Sequence, residues 1–197
     1  MTVPSLFSED DLYLFGEGTW LRAYEKMGAH PRVVDGVTGT NLAVWAPNAL
    51  GVAVEWYGYT GVERRVAMDR RGSGGVWEVF IPELQPGGLY KFAVLSRFGG
   101  YRVEKSDPYG FHHELRPATA SVVYDLAGYT WGDDAWMARR AAWDPFQSPL
   151  SVYELHLGSW RRGPDGRFLT YRELAHDLVP YAVSYTHLRA HETGRNL

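Results

Sequence analysis

The run Val76-Trp-Glu-Val-Phe-Ile81-Pro-Glu-Leu-Gln-Pro-Gly-Gly88-Leu-Tyr-Lys-Phe-Ala-Val94 decides the fold class. Two short apolar runs, each broken by polar residues, flank a turn built from Pro and Gly. That texture extends in both directions. Upstream, Asn41-Leu-Ala-Val-Trp45 stops at Ala46-Pro47-Asn48, and Val52 and Val54 alternate with smaller residues. Downstream come Tyr101-Arg-Val-Glu-Lys105 and Ser121-Val-Val-Tyr124. Six or seven short strands at this spacing predict an antiparallel, immunoglobulin-like β-sandwich in which each sheet buries one face. Ser73-Gly-Gly75 and Gly99-Gly100 read as hairpin turns, because no Gly-Lys-Ser/Thr follows to make a phosphate loop.

The sandwich spans residues 31–127 in this reading, after an entry segment at 1–30. In that entry Gly16 and Gly18 mark a turn before a short helix that ends near Gly28. Residues 128–148, with Trp131, Trp136 and Trp143, read as an ordered linker. A further region, 149–182, begins with a strand at Val152–Leu157. An amphipathic helix follows, announced by the capping-box spacing Thr170-Tyr-Arg-Glu173 and carrying Leu174, Leu178 and Tyr181 on one face. Pro180 is placed to end or bend that helix. One βα unit cannot bury its own apolar surface, so Leu174 and Leu178 are expected to be exposed unless it folds back on the sandwich. The whole is mainly β: a sandwich, then a first βα unit.

Composition excludes several classes. A net charge of −3 argues against nucleic acid, which needs a basic surface. With no cysteine there is no disulfide framework and no thiolate metal site. No leader-like segment opens the chain and no apolar run reaches membrane-spanning length, so a cytoplasmic location and no membrane partner are expected. His112-His113 is rejected as a metal site, because neighbours on a strand point to opposite faces. Glu154 and His156 read as strand-embedded polar residues, His156 as a hydrogen-bonded interior histidine. No cofactor is implied.

The 8 Trp, 13 Tyr and 8 Phe suit a β-rich core or sugar-stacking platforms. Trp56, Tyr57, Tyr59 and Trp77 are the candidate surface platforms for sugar rings, whereas Trp45 and Phe80 are assigned to the core.

Ordered phrases up to about Ala182 resemble one enzyme family. They include Asp11-Leu-Tyr-Leu-Phe-Gly-Glu-Gly18, Gly28-Ala-His-Pro31, Ala43-Val-Trp-Ala-Pro-Asn48, Lys105-Ser-Asp-Pro-Tyr109, Arg116-Pro-Ala-Thr-Ala-Ser121, Tyr153-Glu-Leu-His-Leu-Gly-Ser-Trp160 and Tyr171-Arg-Glu-Leu-Ala175. Together they are similar to the bacterial glucan branching enzymes, within the α-amylase-like barrel enzymes. The resemblance implies a carbohydrate-binding module followed by the first strand and helix of a (β/α)8 barrel, with an α-glucan (glycogen or linear maltooligosaccharide) as partner. It implies retaining transfer of an α-1,4-glucan segment to a 6-hydroxyl by a carboxylate nucleophile and a carboxylic acid. Those carboxylates project from later barrel strands, so none is assigned here and the chain is expected to be inactive.

Where the family has Gly-Asp-Phe-Asn-x-Trp-Asp/Asn-Gly, this chain has Trp56-Tyr-Gly-Tyr-Thr-Gly-Val-Glu-Arg64. Divergence and a local shift of reading frame are both open. The run Val183-Ser-Tyr-Thr-His-Leu-Arg-Ala-His-Glu-Thr193 resembles a translated sequencing-library adaptor, so 183–197 is expected to be non-native. Three other readings are a non-catalytic glucan-targeting module, a related debranching or trehalose-releasing hydrolase, and a plain immunoglobulin-like interaction domain.

Overall fold

A computed structural model describes residues 3–57, 63–148, 150 and 152–187. The chain divides into two compact units, 1–130 and 131–197. Among the described residues no helix is long and apolar enough to cross a membrane.

The first unit opens with α1 (Glu9–Gly16), started by a capping box in which Ser8 and Asp11 satisfy one another's backbone amides. The helix thus precedes the Gly16–Gly18 turn, a reversal of the expected order. Residues Ala23–Glu25 form only a single 3-10 turn. The Ser8 cap and the acidic first turn decide the matter locally, and Lys26 returns to bond the Asp11 carboxylate. Burial pushes the Asp11 carboxyl up, but the Lys26 and Ser8 hydrogen bonds outweigh it and hold the group below its ordinary value.

The strands are β1 (Gly28–Val34), β2 (Val37–Trp45), β3 (Ala49–Tyr57), β4 (Glu63–Ala67), β5 (Asp69–Arg71), β6 (Val76–Ile81), β7 (Leu89–Ser96), β8 (Arg102–Lys105), β9 (His112–His113) and β10 (Ser121–Val122). A first sheet runs β1-β2-β6-β5, and a second β4-β3-β7-β10-β9 with β8 also on β7. All pairings are antiparallel, as expected of the sandwich. The β1–β2 hairpin turns on Asp35 and Gly36, both at positive φ (50° and 80°), which a two-residue primed turn requires. Gly75, between β5 and β6, lies where a Cβ would come within 2.4 Å of the Pro47 Cα, so the close approach admits only glycine.

Leu42 and Val44 of β2, Trp77 and Ile81 of β6, Val52, Val54 and Trp56 of β3, and Tyr90 and Phe92 of β7 form the layer between the sheets. The first sheet departs from the expected one-sided burial. On its outer face Ala43 and Val76 pack with Phe7, Ala23 and Met27, with Phe15 and Trp20 alongside. The entry segment therefore covers this face, and β2 is buried continuously from Gly39 to Val44.

A carboxylate fastens that cover. Glu78, fully buried on the outer face, accepts hydrogen bonds from the Ser5 hydroxyl (2.6 Å), the Leu6 amide (2.8 Å), Asn41 Nδ2 (3.0 Å) and Arg71 Nε (2.8 Å). Burial of a charge is tolerated only with such complete pairing. Across the molecule, the Tyr90 hydroxyl donates to buried Asp107 (2.5 Å), which also accepts from the Tyr109 amide (2.8 Å). The Asp107 amide donates to Ser121 Oγ (2.8 Å), tying the segment after β8 to β10.

In the second unit the expected linker is helical, as α2 (Asp134–Ala142). The expected strand at Val152–Leu157 is absent: residues 152–156 have no regular secondary structure and no ladder partner among the described residues, and Leu157 opens the short helix α3 (Leu157–Trp160). A barrel strand is held by bonds to its neighbours, and none of the described residues supplies one. The helix is present as α4 (Tyr171–His187), with Thr170 and Glu173 making both bonds of the capping box (2.8 and 3.3 Å). Pro180 lies inside it, and the helix passes Ala182 without a break. Tyr181 packs against Tyr153 and Trp160, whose indole donates to the Tyr153 hydroxyl (3.2 Å). On the same face Leu174 is buried and Leu178 half-buried, so the exposure expected of an isolated βα unit is not seen.

Two expectations follow. Glu78→Ala strands the donors of Ser5, Leu6, Asn41 and Arg71 and should cost about 3 kcal/mol; a urea midpoint within error of the unsubstituted chain refutes this. Burial raises the Asp107 carboxyl against the opposing Tyr90 and Tyr109 hydrogen bonds. The folded state therefore binds more protons than the unfolded one above the ordinary Asp range, and this group makes stability fall as pH rises through its raised pKa. Asp107→Asn should flatten that fall, read from urea midpoints between about pH 4 and 7.

Candidate functional site

Residues alternate across β3, so Trp56 and Tyr57 cannot share a face. Trp56 turns inward. It is 5% exposed, lies 5.6 Å below the Arg64 guanidinium, and its buried Nε1 has no hydrogen-bond partner among the described residues. Trp77 is likewise in the core, 7% exposed, with Nε1 donating to the Ala46 carbonyl (3.0 Å). Both therefore lose their assignment as surface platforms, because their strand parity aims them between the sheets. Tyr57 stays half-buried on the outer face, and Tyr59 lies outside the described residues.

The reverse correction applies to Trp45, expected in the core. It shares the parity of Ala43, ends β2, and is 53% exposed. Phe80 is half-buried, with the Arg32 guanidinium 5.6 Å from its ring. Burial lowers the Arg32 pKa, partly countered by Glu78.

The outer face of the second sheet groups polar side chains in register. Arg65, Glu55 and Lys91 stand side by side on β4, β3 and β7. Glu55, nearly buried, is 3.5 Å from Arg65, and Lys91 is 3.8 Å from Glu104. The adjacent row is Ala67, Ala53 and Ala93, a low floor beside the charged row. On the other side of the charged row Tyr57 pairs with Leu89, at the rim of a cleft of about 200 Å³ lined also by the edge of Trp56 and by Glu83, Leu84 and Gln85. Fixed donors and acceptors of balanced charge, with an aromatic ring at one end, suit the hydroxyls and C–H faces of a neutral polyol better than an anion. Glu55 and Lys91 were legible as charged residues inside apolar runs; their union with Arg65 needed the strand register.

His112 tilts onto Tyr124 (5.6 Å), while His113 Nδ1 faces Ser121 Oγ (3.3 Å), so the two imidazoles have separate partners. Among the described residues no group of three or more His, Cys, Asp or Glu could hold a metal. Glu154 is exposed, and His156 is exposed, not interior, with Nδ1 3.2 Å from Ser159 Oγ. One polar cleft does contain two carboxylates, Asp69 and Glu78. Glu78 is saturated by its four donors and is structural.

Residues 26–110 match the model of Carbohydrate-binding module 48 (Isoamylase N-terminal domain). The chain is 52% identical over 93% of its length to the 1,4-alpha-glucan branching enzyme GlgB of Methylococcus capsulatus, covering 25% of that protein. It is 50% identical over 94% of its length to the enzyme of the same name from Rubrobacter xylanophilus, covering 26% of it, and 48% identical over 91% to one from Synechococcus sp., covering 26%. The chain spans about a quarter of the length of these curated relatives. It matches the N-terminal region of the 1,4-alpha-glucan branching enzymes and carries a carbohydrate-binding module 48 domain.

Proposed function

We propose that the chain serves as the N-terminal, glucan-holding part of a 1,4-α-glucan branching enzyme. In that enzyme an α-1,4-glucan segment is cleaved and passed to a 6-hydroxyl, making an α-1,6 branch. The observation that carries the binding role is the Arg65–Glu55–Lys91 row beside Tyr57 on the outer face of the second sheet. The row offers hydrogen bonds to sugar hydroxyls, and Tyr57 offers a ring to a glucose face. The names of the relatives support a branching enzyme over a debranching or trehalose-releasing hydrolase.

Retaining transfer needs two carboxyl groups about 5–5.5 Å apart across the scissile bond. In the cleft that Asp69 and Glu78 share, Glu78 is fully engaged by donors, which supports binding without turnover as the role proposed for this chain. Residues 183–197 are proposed to be non-native, and the source gene reading in frame through Leu197 in genomic DNA refutes that part.

In gels containing glycogen the chain should be retarded, and Tyr57→Ala and Lys91→Ala should each weaken retention about three- to tenfold with unchanged urea midpoints. Equal mobility of both variants and the unsubstituted chain removes this face from the reading. Incubated with amylose, the chain should leave iodine absorbance and α-1,6 content unchanged. New branches would overturn the non-catalytic role.

A further inference from the structure

The outer polar face is not the only place where the first unit presents an aromatic ring to solvent. Trp45 is held at two points. Its Nε1 donates to the Gly74 carbonyl (2.8 Å), and Phe15 meets it edge-on, with ring centroids 6.2 Å apart at 70°. These anchors fix the indole while leaving more than half of the residue exposed. An exposed ring already fixed in place binds a partner with little loss of side-chain freedom.

Two clefts meet at this ring. One, of about 480 Å³, is lined by Phe15, Trp20, Trp45 and Tyr109. The other, of about 270 Å³, is lined by Trp45, Phe92, Lys105, Ser106 and Pro108. The first is lined by aromatic rings; the second is mainly apolar, with Val44 and Val94 in its wall and Lys105 and Ser106 as its polar members. Lys105 is exposed and makes no ion pair among the described residues, and Ser106 Oγ, donating to the Thr119 carbonyl (2.5 Å), keeps lone pairs to accept.

We propose that a second α-glucan-binding site crosses Trp45, with one glucose ring stacked on the indole and flanking units extending into the two clefts. The site rests on the reading of the module as a glucan binder and adds a second point of attachment, on the first sheet. A linear oligomer is the ligand that the geometry favours, because the one ring borders two clefts. Glucose units present apolar C–H faces to an aromatic ring and hydroxyls to Lys105 and Ser106. A nucleotide fits worse, since one lysine is a poor counterpart for a phosphate chain.

The test is titration of the 197-residue chain with maltoheptaose, following the indole N–H resonances by NMR. Trp45→Phe identifies the Trp45 signal and preserves an aromatic ring at the site. The expected result is saturable movement of that signal, also in Tyr57→Ala, where the outer polar face is impaired. Trp45→Ala should weaken binding at this site about tenfold, read from the resonances of Trp20 and Lys105. A stationary Trp45 signal, while resonances of Tyr57 and Lys91 still titrate, overturns the second site and leaves the proposed function standing. No movement at either face overturns the glucan-binding reading, and this site with it.

Discussion

The buried Glu78 carboxylate is the interaction on which the architecture of the first unit depends. It joins β2, β5, β6 and the entry segment through Asn41, Arg71, Ser5 and Leu6. A charge at that position is unfavourable unless every lone pair is used, so the entry segment cannot lift off cheaply. With it in place, Phe7, Ala23 and Met27 close over Ala43 and Val76. The first sheet thereby becomes an inner layer, covered on both faces. The second sheet keeps its outer face for polar side chains.

That asymmetry separates two kinds of surface. On the second sheet the Arg65–Glu55–Lys91 row is organised by strand register. On the first sheet Trp45 stands where the cover ends, with Phe15 of α1 bracing its edge. The same entry segment that buries the sheet therefore also builds one wall of the cleft beside Trp45. Tyr109 reaches that wall from the segment anchored by Asp107, so the two buried polar networks converge on one aromatic surface.

The second unit shows what a strand-forming sequence does without a sheet. Val152–Leu157 has the apolar pattern of a strand, yet extended backbone gains its ladder bonds only from neighbours. Here the aromatic side chains are used locally: Tyr153, and Trp160 of α3, pack on Tyr181 of α4. The helix needs no such partner, because its backbone bonds are internal and its start is fixed by Thr170 and Glu173.

The amino-acid sequence by itself determined whatever depends on residues a few positions apart. The alternating runs specify an antiparallel sandwich, Thr170 and Glu173 mark the start of α4, and the glycine turns place the hairpins. The family phrases likewise pointed to the glucan branching enzymes. Only the tertiary structure decided questions of side and cover. Trp56 and Tyr57 are adjacent aromatics, and either parity satisfies the alternation; pairing with β7 and packing on Trp77 and Phe92 sends Trp56 inward. Trp45 looks like a core residue until the reach of the entry segment is known. Whether Glu78 is an exposed charge or the centre of a network is settled by Ser5 and Leu6, more than seventy residues away in the chain. Local pattern carries the period of a strand, but burial of each face is set by distant segments, and no short-range signal records it.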